Sequence, residues 1–168
     1  MTKYGRSLRF GYCLLPTVTD PTRPLRLAAL AETLGLDYVG IQEHEDDADR
    51  HDIWTLLTAM GTATSRIALI AKGDDLPLRP PPLLAKAAAS FDLLTNGRVE
   101  LDLGARSFLA ALTGSEGRSD QEALAALEET IHVMRFVWSG ERPVDFAGNF
   151  YPLTDADVGL APARRIGI

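Results

Sequence analysis

Regular alternation of strand and helix patterns predicts an α/β protein made of consecutive parallel β/α units. Two further observations narrow the class. No Gly-x-Gly-x-x-Gly follows the first strand, which weakens a doubly wound dinucleotide-binding sheet. Four strand–helix units precede a new apolar run, Arg165 to Ile168, at the end of 168 residues, whereas a full (β/α)8 barrel typically takes about 250. The expected architecture is the first four units of a (β/α)8 TIM-type barrel plus a small hairpin insertion. Residues 1–168 form one domain in this reading, truncated at the start of the fifth strand.

The clearest unit lies between Arg66 and Gly104. Ile67 to Ala71 is a continuous apolar run, the pattern of a strand covered on both faces, and Val99 to Leu103 alternates with Glu100 and Asp102. Between them Leu84, Ala87, Ala88, Phe91 and Leu94 recur at helical spacing. Pro80 to Pro82 suit the first helical turn, where a lost N–H is harmless. Asn96-Gly97 supplies the left-handed residue that ends the helix. Such a strand–helix–strand crossover makes its two strands parallel.

The other elements follow in order. Leu8 to Leu15 reads as the first strand, stopped by Pro16. Asp20-Pro21 opens a helix with Leu27, Leu30, Ala31 and Leu34 inward, closed by Gly35. Tyr38 to Gln42 is the second strand, followed by Glu43-His44 and an acidic loop, Glu45 to Asp49. The next helix turns Ile53, Leu56, Leu57, Met60 and Ala63 inward, with Asp49 or Asp52 at its positive end. Ser119-Asp-Gln-Glu122 is a capping box. It opens a long helix with Leu124, Leu127, Ile131, Met134 and Trp138 on one side, closed by Gly140. Phe146 to Phe150 suggests a hairpin turning on Gly148-Asn149.

Composition bounds the function. Hydrophobic residues at 46%, charged residues at 24% and a net charge of -6 describe an ordinary globular protein and argue against nucleic-acid binding. No apolar run approaches the roughly 20 residues that span a bilayer, and the N-terminus lacks a signal-peptide core. A cytoplasmic protein is expected. One cysteine, Cys13, excludes a disulfide framework and reads as a small buried apolar residue. Neither a Gly-x-Ser-x-Gly elbow nor a phosphate-binding loop occurs.

Several strings now point to a family. Leu76-Pro-Leu-Arg79-Pro, Leu84-Ala-Lys86-Ala-Ala-Ala, Asp92-Leu-Leu-Thr-Asn-Gly97-Arg98 and Glu100-Leu-Asp-Leu-Gly104 resemble the luciferase-like flavin-dependent monooxygenases. Within them the chain looks most like the actinobacterial branch that often uses a deazaflavin coenzyme. Gly40-Ile-Gln-Glu43-His44 and Phe146-Ala-Gly-Asn-Phe-Tyr151 add weaker support. The resemblance covers nearly the whole chain. It implies a (β/α)8 barrel with FMN or a deazaflavin (F420-type) coenzyme at the C-terminal mouth of the strands, acting on a small organic substrate.

Strand alternation places chemistry on that frame. With Val39 and Ile41 against the helices, Gly40, Gln42 and His44 face the interior. Ile70 and Lys72 do likewise, as do Glu100, Asp102 and Gly104. His44, Lys72, Asp102 and Gly104 therefore gather at the C-terminal mouth, where barrel enzymes build active sites. An imidazole there relays protons at neutral pH or bonds a reduced ring, and the resemblance makes His44 the candidate catalytic residue over a plain loop histidine. The candidate cofactor-binding set is Gln42, Glu43, Ala71, Lys72, Gly73, Asp102 and Gly104. His51 and His132 read as structural. The cluster from Glu43 to Asp49 lacks a Ca²⁺-loop glycine and a His-Glu-x-x-His pattern, so no metal is expected.

Three positions depart from the family pattern. Lys72 stands where a small or amide residue is usual, and Asp102 and Arg106 where glycine is. Lys72 and Asp102, at similar height on adjacent strands, should neutralise each other. Their intrusion leaves an alternative open: a non-catalytic half-barrel that has lost the cofactor and survives as an oligomeric or interaction module. Two open sheet edges favour a homo-oligomer in either case.

Overall fold

A computed structural model describes residues 7–44, 47–75, 79–104 and 118–168. Glu45 and Asp46 of the acidic loop, Leu76 to Leu78 of the family string, and Arg106 lie outside the described residues. The order is β1 (Gly11–Leu14), α1 (Arg23–Thr33), β2 (Tyr38–Gln42), α2 (Ile53–Ala63), β3 (Ala68–Asp75), α3 (Pro81–Leu94), β4 (Val99–Gly104), α4 (Asp120–Ser139), β5 (Val144–Phe146) and β6 (Leu153–Ala156). β1 to β4 form one parallel sheet in sequence order, and β5 and β6 form an antiparallel hairpin. Gly167 bridges Glu100 in parallel, and its carbonyl accepts from the Leu101 N–H at 3.0 Å. The last apolar run thus lies along β4 as a fifth strand would.

The core sits between sheet and helices. Val39, Ile41, Ile67, Leu69, Ala71 and Val99 are fully buried from the sheet side, against Leu57, Met60, Leu84 and Met134 from the helices. At about 25 cal/mol per Å² of apolar surface, each large side chain contributes roughly 1.5–3 kcal/mol. Helix ends follow sequence chemistry. Asp52 caps α2 by accepting from the Thr55 N–H, and Ser119 and Glu122 form the reciprocal capping box of α4. Pro80 to Pro82 lead into α3, and Asn96 and Gly97, both at positive φ, end it.

Several expectations are corrected. The first strand is only Gly11–Leu14, because Phe10 leaves the ladder for Asp37: its N–H donates to the Asp37 carboxylate at 2.7 Å. α1 starts at Arg23, beyond Pro21, and buries Pro24, Ala28 and Ala31, while Leu30 and Leu34 are 51% and 70% exposed. Small residues form the buried face of α1, Leu25 and Leu27 are half-buried at its side, and Leu30 and Leu34 turn away. Ala63, Ala87, Leu94 and Leu124 are exposed rather than inward. The hairpin does not turn on two residues: Phe146 pairs with Leu153, and Glu129 of α4 accepts the N–H groups of Asn149, Phe150 and Tyr151 across the loop. Cys13 is exposed, on the open face of the sheet.

Arg98 ties the layers together. Its guanidinium donates to the carbonyls of Gly61, Thr64, Ile67 and Thr95 and to the Thr64 hydroxyl, joining the ends of α2 and α3 to the start of β3. Burial depresses its pKa. Carbonyl acceptors satisfy a buried cation that would otherwise be costly to desolvate.

Candidate functional site

Strand register sets the site. Gln42, Lys72 and Asp102 are direct partners on β2, β3 and β4, one level above Gly40, Ile70 and Glu100. Partners in a parallel ladder project to the same face, so two adjacent levels of the open face carry charge. The Lys72 stem crosses Gly40, where an added Cβ would stand 2.9 Å from the lysine Cδ. Its Nζ lies 3.8 Å from Asp102 Oδ2, with the two side chains 37% and 59% exposed. The expected pair therefore meets, but in water-accessible form, and contributes under about 1 kcal/mol.

Beyond this level β3 bulges. Lys72 faces Asp102 and Asp74 faces Leu103, leaving Gly73 as the extra residue at φ +72. A Cβ on Gly73 would meet nothing within 4 Å, and one on Gly104 would lie 3.5 Å from Gly73 Cα. The two glycines make a ledge of bare backbone at the C-terminal ends of β3 and β4. Bulges of this kind re-aim a strand end and increase its twist.

His44 is half-buried, two residues past β2, and its carbonyl accepts from the Asp47 N–H at 3.1 Å. The Asp47 carboxyl is held below its ordinary pKa chiefly by the Asp49 N–H, then by Arg50 and more weakly by His44. Glu43 and Ala71 turn to the helix side instead. Ala71 is fully buried, and Glu43 is 4% exposed, its N–H donating to the Lys72 carbonyl at 3.0 Å. Arg79 Nε reaches the Glu43 carboxylate at 3.3 Å, and its Nη2 pairs with Asp52 at the start of α2. Burial opposes charge on both Asp52 and Arg79. The Thr55 donors and Arg79 still hold Asp52 low, while Asp52 and Glu43 push Arg79 above its ordinary value.

Gln42, Lys72, Gly73, Asp102 and Gly104 thus share the open end of the sheet. His44 stands at its rim, and Glu43 and Ala71 support it from behind. The triad of Glu43, Arg79 and Asp52, which straps the segments after β2 and β3 together, was not foreseen. Glu43 and Asp52 lie 36 and 27 residues from Arg79, so no periodicity joins them; Arg79 and Glu43 stood in separate family strings and Asp52 was a candidate helix cap. Lower on the same face Arg9 covers the Tyr38 ring at 3.8 Å and, with Arg164, pairs with Glu100. Among the described residues no three His, Cys, Asp or Glu side chains converge as a metal site, and no helix is long and apolar enough to cross a membrane.

Known proteins share this sequence pattern and fold. The sequence profile of the luciferase-like monooxygenases matches residues 8–166. An F420-dependent glucose-6-phosphate dehydrogenase of Amycolatopsis mediterranei is 30% identical over 96% of this chain and 50% of its own length. A solved F420-dependent secondary alcohol dehydrogenase, in complex with an F420-acetone adduct, superposes with a TM-score of 0.80 at 25% identity, covering 96% of this chain and 51% of that one. A monooxygenase of Streptomyces bottropensis gives a TM-score of 0.77 at 27% identity, over 94% and 51%. The chain spans about half the length of the relatives it matches, and those neighbours are TIM-barrel proteins. With a profile matched over nearly its whole length and a parallel β/α sheet of the same kind, the chain belongs to the luciferase-like monooxygenase family.

Proposed function

We propose that this chain forms the cofactor face of a flavin- or deazaflavin-dependent oxidoreductase acting on a small organic substrate in the cytoplasm. The ledge of Gly73 and Gly104 carries the reading. Bare backbone at the C-terminal ends of parallel strands admits the edge of a flat ring to van der Waals distance. Family membership supports the redox class. Relatives named for F420 favour a deazaflavin over FMN, and an exposed, unpaired Cys13 suits a reducing compartment.

Such a group, when bound, supplies hydride or electron transfer. Gln42, Lys72, Gly73, Asp102 and Gly104 would hold it, with Glu43 and Ala71 fixing the strand ends beneath. His44 at the rim would hold or pass a proton to the substrate. Lys72 and Asp102 work against an apolar ring but satisfy each other, so affinity should be modest rather than absent.

Titration of the purified chain with oxidised deazaflavin and with FMN, followed by absorbance and fluorescence, tests this. Saturable binding, tighter for the deazaflavin, is expected, and Lys72→Asn with Asp102→Gly should tighten it. In an active form His44→Ala should lower turnover by about 10²-fold with little change in cofactor affinity. If neither the wild type nor the double variant binds either cofactor, the enzyme reading fails and the non-catalytic interaction module takes its place.

A further inference from the structure

One guanidinium grips both ends of the segment that carries His44. Glu43, the residue before it, has a side chain 3% exposed, and its carboxylate accepts from Arg79 Nε at 3.3 Å. Asp52, where the same segment enters α2, accepts from Arg79 Nη2 through Oδ2, while its Oδ1 caps the helix at the Thr55 N–H, 2.8 Å away. Arg79 itself lies just before α3, so it reaches across from the exit of β3. Residues 49–51 are pinned separately to the exit of β1: the Asp49 carbonyl accepts from the Val18 N–H at 2.9 Å, and the His51 N–H donates to the Pro16 carbonyl at 2.7 Å. What is left to Arg79 is the root of the segment, where His44 stands. Among the described residues no partner hydrogen-bonds the His44 imidazole, so the ring's place follows from its backbone.

From this geometry we infer that Arg79 is a positioning residue for His44, acting through the backbone of the segment rather than on the substrate; what the imidazole then does rests on the redox reading above. The charge is required because the Glu43 carboxylate is buried and would otherwise be left unpaired. The shape is required because two nitrogens of one rigid plane meet two carboxylates. A lysine ammonium, a point charge on a flexible stem, supplies the charge without fixing the angle between them. The ledge at Gly73 is held differently. The Glu43 N–H donates to the Lys72 carbonyl at 3.0 Å, a backbone bond that continues the ladder and needs no guanidinium. Loss of Arg79 therefore displaces the imidazole while leaving the bare backbone at Gly73 and Gly104 in place, which separates its effect on turnover from its effect on cofactor affinity.

Arg79→Lys and Asp52→Asn in the full chain test this. Asparagine keeps the helix cap, so the second variant decides where the first does not fold. One readout needs no turnover. Hydrogen exchange at the Asp47 amide, which donates to the His44 carbonyl, should quicken by about tenfold in each variant. The His44 imidazole resonance, assigned through His44→Ala, should shift or broaden, while the His132 resonance and the Leu101 amide stay as they are. Unchanged exchange at Asp47 with an unmoved His44 resonance overturns the proposal. The other readout is the cofactor-loaded enzyme. Arg79→Lys should lower kcat by about 10- to 10²-fold and leave the cofactor Kd within about threefold of wild type. In a His44→Ala background the same change should cost no more than about twofold. Losses that multiply instead overturn the proposal, because Arg79 would then act elsewhere. So does a cofactor Kd weakened by more than about tenfold, the mark of a direct cofactor ligand. If exchange and resonance move but the wild type turns over with neither FMN nor deazaflavin, the redox reading fails and the hold of Arg79 on His44 stands.

Discussion

Glu32, near the end of α1, accepts from the backbone N–H groups of Ser65, Arg66 and Ile67 at 2.6–3.1 Å. Burial acts to raise its pKa, but these donors prevail and bring it from 4.5 to about 2. A folded pKa below the unfolded one stabilises the fold fully above about pH 4.5, and that contribution fades as pH falls towards 2. Water reaches this half-buried group and screens part of the effect. Glu32→Gln should therefore lower stability by about 1–2 kcal/mol at pH 7 and flatten the acid limb between pH 4.5 and 2. Denaturant melts at pH 7, 4 and 3 measure both, and an unchanged acid limb would show that the carboxylate does not drive acid unfolding. Legibility at this scale divides by distance along the ladder. Lys72 and Asp102 could be paired from alternation because neighbouring strands share a register; Glu43 could not be matched to Arg79, whose approach depends on the path between β3 and α3.

At the scale of elements, α2 and α3 meet where Gly61 faces Phe91 and Thr95. A Cβ at Gly61 would stand 2.9 Å from Phe91 Cε2 and 2.9 Å from Thr95 Cγ2. Alanine improves helix propensity by about 1 kcal/mol, whereas overpacking a filled contact costs about 1–3 kcal/mol. Phe91 is 4% exposed, held in the core between the helices, so Gly61→Ala should destabilise by about 1–2 kcal/mol net. Chemical denaturation decides it; a gain in stability would mean the two helices part easily. Capping signals were readable here because they are local: Ser119 and Glu122 lie three residues apart. The buried stripe of α1 was not. The expected set Leu27, Leu30, Ala31 and Leu34 and the buried set Pro24, Ala28 and Ala31 both recur at helical spacing; they share Ala31, Leu27 is half-buried against the core, and Leu30 and Leu34 are exposed.

For the whole molecule, Arg164 links the last segment to the rest. Its guanidinium donates to the carbonyls of Gly97 and Val99 and pairs with Glu100 at 3.1 Å, and its N–H donates to the buried Asp92 carboxylate at 3.1 Å. Arg164→Ala should release residues 165–168 from the edge of β4. Hydrogen exchange at the Leu101 amide, which donates to the Gly167 carbonyl, is expected to quicken by about tenfold or more as this local opening becomes easier. Protection unchanged at Leu101 would mean that Ile166, 3% exposed, anchors the segment alone.

The amino-acid sequence by itself determined the order of strands and helices, the parallel crossovers, the cap of α4, the choice of Asp49 or Asp52 for that of α2, the left-handed ends at Gly35, Gly97 and Gly140, and the meeting of Lys72 with Asp102. Each follows from interactions within a few residues or from the two-residue period of a strand. Tertiary structure decided which side of α1 is buried, how Glu129 holds the hairpin loop, the exposure of Cys13, the bulge at Gly73, and the polar straps through Arg79, Arg98 and Arg164. These depend on groups brought together from about 20 to 70 positions apart, where side-chain length and donor geometry operate in three dimensions and leave no periodic trace along the chain.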